Sequence, residues 1–499
     1  MRIPFPERVN LTHVLIFATA LCGVQIFEGT NPFFSGCAFC FIMVAAIGFN
    51  IAGGIMYPSG AFIFFNAFFT MVLPLVTKAV LREPADSNLR VPMRTVEVYL
   101  LGMVAMVAAA IFSRRFRARK SWIADMLPLA SLRAAYVGCA VLSVLIGLYL
   151  AFSPGGGNGT INSFLLQADR FPLLTFVLGV VYTIRRTEGR RSVTGPLLLM
   201  ILFIAFGAIL SFSKEQFLSP FFAWAVTAAL MRYRLKWINV FAFTGGLYFV
   251  VVFMVPYTQY GRGFVDLPVS RIQLSTYLLT HMDEVREGYA ETRATLGKYH
   301  YYNEHLSLLD RLDVVSGDDA LIDVTDREGT FGYAPMIFAF ENLVPHVLWR
   351  DKPVELYGNT YAHEIGILPD EDSGTGVSFS PSADAYHEGR MVGVLALEPA
   401  VLMLIFIVLD SVIGDVRLNP VGLLTTILVS RGSSEGLLSG NMILIGQALF
   451  TNVLAVYVCA YALPVIGAVF SKRVSGFSGL SDTPASASPS SVLPSVTPL

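Results

Sequence analysis

Four groups able to hold anions or move protons, His346, Arg350, Lys352 and His363, fall within 18 positions of one another. Asp351, Glu355 and Glu364 stand among or beside them. Further on, Asp384 and Glu388 are four residues apart, the spacing that puts two side chains on one face of a helix. Guanidinium and ammonium groups stabilise negative charge developing on oxygen, and a carboxylate or neutral imidazole accepts a proton. Glu388, Asp384 and His346 are the candidate catalytic residues on this reading, with Glu364 and His363 available in the same stretch. All of them belong to the polar, glycine-rich segment Pro345 to Gly393, which lies between long apolar runs. Titratable groups at a bilayer are expensive and mark function more often than packing.

The rest of the chain must position that segment at a membrane. Of 499 residues, 54% are hydrophobic and 14% charged, with a mean hydropathy of +0.61, outside the range of soluble globular proteins. The net charge of −1 conceals a division. Between Tyr257 and Arg390 there are 22 Asp plus Glu against 10 Lys plus Arg, and six of the seven histidines. The fold class expected is all-α, a polytopic integral membrane protein with one large helical loop outside the cytoplasm.

Spans of about 20 apolar residues, with Lys and Arg kept on the cytoplasmic side, give about twelve helices. They cover 11–28, 33–53, 59–80, 95–112, 133–152, 171–184, 195–212, 218–231, 238–256, 391–409, 420–431 and 441–470. The basic clusters Arg114 to Lys120, Arg185 to Arg191, Arg232 to Lys236 and Lys472 to Arg473 then share one side. That side is the cytoplasm, so both termini are inside. The organisation is membrane helices over 1–256, a cap loop over 257–390, further membrane helices over 391–471 and a Ser/Pro-rich cytoplasmic tail over 472–499. Residues 81–94 break the rule, with Arg82, Arg90 and Arg94 on the outer side. They indicate either a miscount by one helix or a site for anionic oxygens.

Within the loop, two or three amphipathic helices are expected between Arg271 and Leu312, and a short helix through APMIFAFENL ended by Pro345. Glycines 358, 366, 374 and 376 suggest irregular backbone able to wrap a ligand. Lys214 and Glu215, at the outer end of a span, read either as a snorkelling pair or as part of a substrate path. The five cysteines, the Cys37–Cys40 spacing included, lie in apolar runs and read as small buried hydrophobes. Asp370, Glu371 and Asp372 read as a solvated turn. No phosphate-binding glycine loop, H-E-x-x-H or G-x-S-x-G is present, so nucleotide, zinc and serine chemistry have no handle. No cofactor and no metal are expected, and no nucleic acid.

Between residues 345 and 393 the order of features resembles the bacterial O-antigen polymerases, the Wzy-type oligosaccharide repeat-unit polymerases. The features are Pro345-His346, Trp349-Arg350-Asp351-Lys352-Pro353, Gly358, Ser380-Pro381, Ala383 to Tyr386, and Gly393. His346 stands where that family often has arginine, with Arg350 close enough to substitute. Lys214 in SFSKEQF and Arg431 in SRGSSEG look like the family's membrane-edge arginines.

The resemblance implies a GT-C-like architecture and an enzyme of the inner membrane. Such an enzyme joins undecaprenyl-pyrophosphate-linked repeat units into surface polysaccharide on the periplasmic face, without metal or nucleotide. It implies that Arg350, Lys352, Lys214, Arg431, Arg262, Arg311 and His363 hold the pyrophosphate or glycan. Its partners would be the lipid-linked oligosaccharides, membrane lipids, and a chain-length regulator and flippase of the same pathway. An O-antigen ligase would use the same chemistry. A transporter or flippase is the alternative of another class, although charges crowded at the outer rim and the lack of an internal repeat favour it less.

Overall fold

The computed structural model describes residues 7–122, 129–152, 171–264, 269–295, 300–303, 313–344, 349, 355–368, 376–443, 458–462 and 465. Among the described residues every regular element is helical. The first nine helices are α1 Leu11–Phe27, α2 Pro32–Ala52, α3 Pro58–Leu81, α4 Pro92–Phe116, α5 Leu129–Phe152, α6 Phe171–Arg186, α7 Gly195–Ser211, α8 Lys214–Leu230 and α9 Trp237–Arg262. The loop that follows contributes α10 Arg271–Thr280, α11 Met282–Thr295, α12 Val315–Glu328, α13 Ala334–Leu343 and α14 Tyr357–Glu364. Two more, α15 Pro381–Val412 and α16 Pro420–Glu435, follow, with short helical turns at Gly54–Met56 and Val458–Ala462.

Local chemistry sets the starts of these helices. Proline takes an early position in α2, α3, α4, α15 and α16, where its missing N–H costs nothing. Asn10, Asn31, Ser380 and Asn419 cap α1, α2, α15 and α16 through their side chains. Gly53, at φ 96°, ends α2 in the left-handed region.

Among the described residues six helices, α2, α3, α4, α5, α9 and α15, are long and apolar enough to cross a membrane. Helices occupy eleven of the twelve expected stretches, but α1, α6, α7, α8 and α16 have only 16 or 17 residues. Most of 441–470 lies outside the described residues, as does the tail. Leu199, Leu202 and Phe206 on α7 and Ile238 and Phe241 on α9 stand exposed, as lipid-facing side chains do. The core lies where α4 packs on α2 and α15, and α3 on α16.

The start of α1, the ends of α4, α6 and α8 and the connection from α15 to α16 come together. At one end Arg232 and Arg417 both pair with Glu7, at 3.0 and 2.8 Å. There Arg185 donates to the Arg417 carbonyl at 2.6 Å, and Arg117 lies 3.5 Å from Asp410. Three of the four basic clusters thus share an end; Lys472–Arg473 lies outside the described residues.

The loop helices cover the other end, and residues 81–94 are their clasp. Lys78 and Glu83 form a buried ion pair at 2.8 Å with the Lys78 ammonium over the Tyr301 ring, and the Tyr301 hydroxyl donates to the Ala85 carbonyl at 2.5 Å. Asp319 of α12 accepts from Arg90 N, Val91 N and the Thr95 hydroxyl at 2.5, 3.1 and 2.7 Å. The guanidinium groups of Arg90 and Arg94 meet Asp323 and Asp326 of the same helix, each at 3.5 Å. Arg90 and Arg94, two of the three unexpected arginines, therefore face carboxylates of the cap.

Two expected boundaries move. α15 begins ten residues before the apolar run at 391, because Ser380 and Pro381 start a helix whose first turns are polar yet buried. Gly358 is helical, not irregular: it lies in α14, where a Cβ would collide with the Val377 carbonyl. Gly366 does take the left-handed conformation, at φ 74°, while Gly374 lies outside the described residues. α10, α11 and α13 occupy stretches read as helical, whereas α12 and α14 had not been recognised.

Candidate active site

The Ser380 hydroxyl accepts from Ala383 N at 3.2 Å, and this start fixes which way the next two turns of α15 face. Ser382, Asp384, His387 and Glu388 are all buried as a result. Asp384 is fully partnered. Its Oδ1 accepts from the Tyr361 hydroxyl of α14 at 2.9 Å, and its Oδ2 from Leu438 N, just beyond α16, at 2.7 Å. Glu388, one turn later and only 1% exposed, has no hydrogen-bond partner on either oxygen among the described residues. A buried polar group left so costs about 1–3 kcal/mol, more when charged. Such a group is rare enough to require an explanation.

His387 lies between α12 and α14. Its Nδ1 is 2.8 Å from Thr325 Oγ1, and the Thr325 hydroxyl donates to the Leu321 carbonyl at 2.7 Å, so Nδ1 is the donor to Thr325. Its Nε2 lies 3.1 Å from Glu364 Oε2, within ion-pair range although off the line of a hydrogen bond. The Tyr361 ring packs edge-on against the imidazole at 4.6 Å, and Phe331 flanks both rings. Burial, with the Asp384 carboxylate close by, pushes the Tyr361 hydroxyl far up from its ordinary value, so it remains a hydrogen donor.

α12 forms one wall. Asp318 accepts from the Tyr99 hydroxyl of α4 at 2.6 Å and from Ser380 N at 2.9 Å, which ties α4, α12 and the start of α15 together. Burial pushes Asp318 up to about 7, against the opposing effect of those two bonds. The Tyr386 hydroxyl donates to Asp326 Oδ1 at 2.6 Å.

Beyond Glu388 the helix breaks. Gly389 and Arg390 leave helical geometry, Arg390 at φ 50° and ψ −140°, with its guanidinium donating to the Thr325 carbonyl at 3.2 Å. A non-glycine residue in that conformation stores strain, a feature that gathers at functional sites. A wide π-helical turn over Gly393–Leu397 follows. It leads to Glu398, whose Oε1 accepts from Ser382 at 2.9 Å while Oε2 has no partner among the described residues. Among the described residues, no three His, Cys, Asp or Glu side chains are placed to hold a metal ion.

No family model, curated protein or solved structure matches this chain. The chemistry is therefore read from the residues themselves.

Of the candidates named from sequence, the structure brings Asp384 and Glu388 together in one buried cluster, joined by Glu364. His363 is half-buried on α14, next to Glu364. Arg431 falls in the last turns of α16, seven residues before Leu438. Lys214 and Arg262 lie apart from the cluster and flank the turn at Phe212, where Arg262 Nε donates to the Phe212 carbonyl at 3.1 Å. His346, Arg350, Lys352 and Arg311 lie outside the described residues, as do Asp370 to Asp372.

The residues that sequence reasoning missed are Tyr361, Thr325, Asp318, Tyr99 and Glu398, together with a role for His387. One signal was available. Asp319, Asp323 and Asp326 repeat at helical spacing and face Arg90 and Arg94, themselves four apart, so this stretch is a charged helical face and not irregular loop. Glu398 is also a lone carboxylate inside an apolar run, which by itself marks an intramembrane site.

Proposed function

We propose that this chain is an inner-membrane glycosyltransferase that polymerises undecaprenyl-pyrophosphate-linked repeat units into surface polysaccharide. In this reading all twelve stretches span the membrane in a GT-C-like arrangement, and both termini are cytoplasmic with the cap in the periplasm. The observation that carries it is Glu388, a buried carboxylate without a donor among the described residues, set in a cluster at the end opposite the basic clusters. A substrate hydroxyl would supply the missing donor.

The acceptor sugar hydroxyl attacks the anomeric carbon of the donor glycan, a new C–O bond forms, and the bond to pyrophosphate breaks with its electron pair leaving on undecaprenyl pyrophosphate. The hydroxyl proton passes to Glu388. Asp384 is held by Tyr361 and Leu438 N and so serves to position the helix. Arg350, Lys352, Arg431, Arg311 and His363 remain the proposed cations for the leaving pyrophosphate, while Lys214 and Arg262, apart from the cluster, are proposed to contact the glycan. A chain-length regulator and a flippase are the proposed partners.

The glycan profile of a strain lacking the gene tests this. Surface glycan reduced to a single repeat unit supports a polymerase, whereas loss of all surface glycan with lipid-linked polymer accumulating indicates a ligase. Glu398, a carboxylate inside an apolar helix with one oxygen unpartnered among the described residues, is the observation that favours transport. Lipid-linked single units trapped on the cytoplasmic face of that strain would identify a flippase.

A further inference from the structure

α13 is apolar on two opposite sides. From Ala334 to Phe340 it carries no polar side chain, although the surrounding loop is rich in carboxylates. One side belongs to the protein: Met336, Phe338 and Ala339 are buried, and the Phe338 ring meets the Tyr357 ring of α14 edge-on at 5.4 Å. The other side consists of Tyr333, Ile337, Phe340 and Val344, spaced as one face of a helix, and these are 48, 60, 54 and 37% exposed. Glu341, the one charged residue of the helix, is half-buried in its last turn, with its charge close enough to act on Tyr357.

A contiguous apolar stripe of this kind marks contact with another protein or with a membrane. Its place in the fold decides between them. Tyr333 lies against the break in α15, where a Cβ on Gly389 would stand 2.8 Å from the Tyr333 hydroxyl. The apolar run of α15 begins just beyond that break, and there Val392 and Leu395 are exposed as lipid-facing side chains are. The stripe on α13 thus starts at the outer edge of a membrane span. Two residues at that level suit a lipid–water boundary. They are Tyr333, an amphipathic ring with its hydroxyl at the break, and Arg390, an exposed guanidinium on an apolar stem.

We propose that α13 is sunk in the outer leaflet of the bilayer, with Tyr333, Ile337, Phe340 and Val344 against acyl chains. The cap is then anchored in lipid as well as clasped by residues 81–94. The candidate site lies one helix away from the lipid. Phe338, on the inner side of α13, packs on Tyr357, Tyr357 lies 6.4 Å from the Tyr361 ring, and the Tyr361 hydroxyl donates to Asp384. This placement holds whichever reaction the site performs.

The experiment uses the purified full-length protein in nanodiscs of phosphatidylcholine, with and without bromine on the acyl chains. Ile337→Trp and Phe340→Trp each place a fluorophore on the stripe, and Val392→Trp is the lipid-facing reference. The emission of the added tryptophan is read as the difference from the unmodified protein. Both α13 variants should lose most of that emission in brominated lipid, as Val392→Trp does, with unfolding midpoints unchanged because the replaced side chains are exposed. The two positions are read separately, so a variant that fails to fold leaves the other decisive. Emission that brominated lipid leaves intact overturns the insertion. Acrylamide added to the water then separates the two remaining cases: quenching assigns the stripe to solvent, and its absence assigns it to a second copy of the chain or another protein.

Discussion

Asp384 and Glu388 stand one turn apart on the same buried stretch of α15, yet among the described residues Asp384 accepts a hydrogen bond on each oxygen and Glu388 on neither. The two carboxylates therefore divide the work of the site. One ties α14 and the chain beyond α16 to α15, and the other faces the cluster unpaired.

Asp384→Ala should be a stability variant. It strands the Tyr361 hydroxyl and Leu438 N in a buried site, at about 1–3 kcal/mol each. Thermal unfolding of the purified protein in detergent should show a lowered midpoint, and Asp384→Asn, which keeps one acceptor, should lose less. Equal midpoints for Asp384→Ala and the unmodified protein would contradict the clamp.

The cap contact at Lys78 and Glu83 should show strong pairwise coupling. Removing one partner leaves the other as a buried unpaired charge, at about 3–5 kcal/mol. Lys78→Met and Glu83→Gln should each lower the unfolding midpoint, and the double variant should recover most of the loss. Additive losses would show that the two side chains do not interact.

Asp318 gives a pH dependence whose sign follows from its environment. Burial raises it from 3.8 to about 7 in the folded protein, so between those values the folded state binds more protons than the unfolded one. Stability from this group then falls as pH rises from about 4 to 7 and is flat below that window. Asp318→Asn keeps one acceptor, enough for Ser380 N, and removes the titration. Its unfolding midpoint should vary less across that window than that of the unmodified protein; an unchanged slope would assign the dependence elsewhere.

Apolar runs made the helices legible, because span length is a local property. The spacing of Asp384 and Glu388 was legible for the same reason. Their burial was not. It depends on Tyr361, Leu438, Ser380 and Asp318 meeting across four elements, and no sequence period records that meeting. The start of α15 was misplaced because the apolar signal begins only after the break at Gly389 and Arg390. Arg90 and Arg94 were puzzling for a related reason: their carboxylate partners lie more than 200 residues away.

The measurement that bears most directly on the proposed chemistry is elongation of lipid-linked repeat units by purified Glu388→Gln. Glutamine keeps the shape and removes both charge and basicity, so the variant should accumulate and unfold like the unmodified protein. Elongation should fall by about 100-fold or more if Glu388 takes the hydroxyl proton. Elongation at the unmodified rate would contradict that assignment.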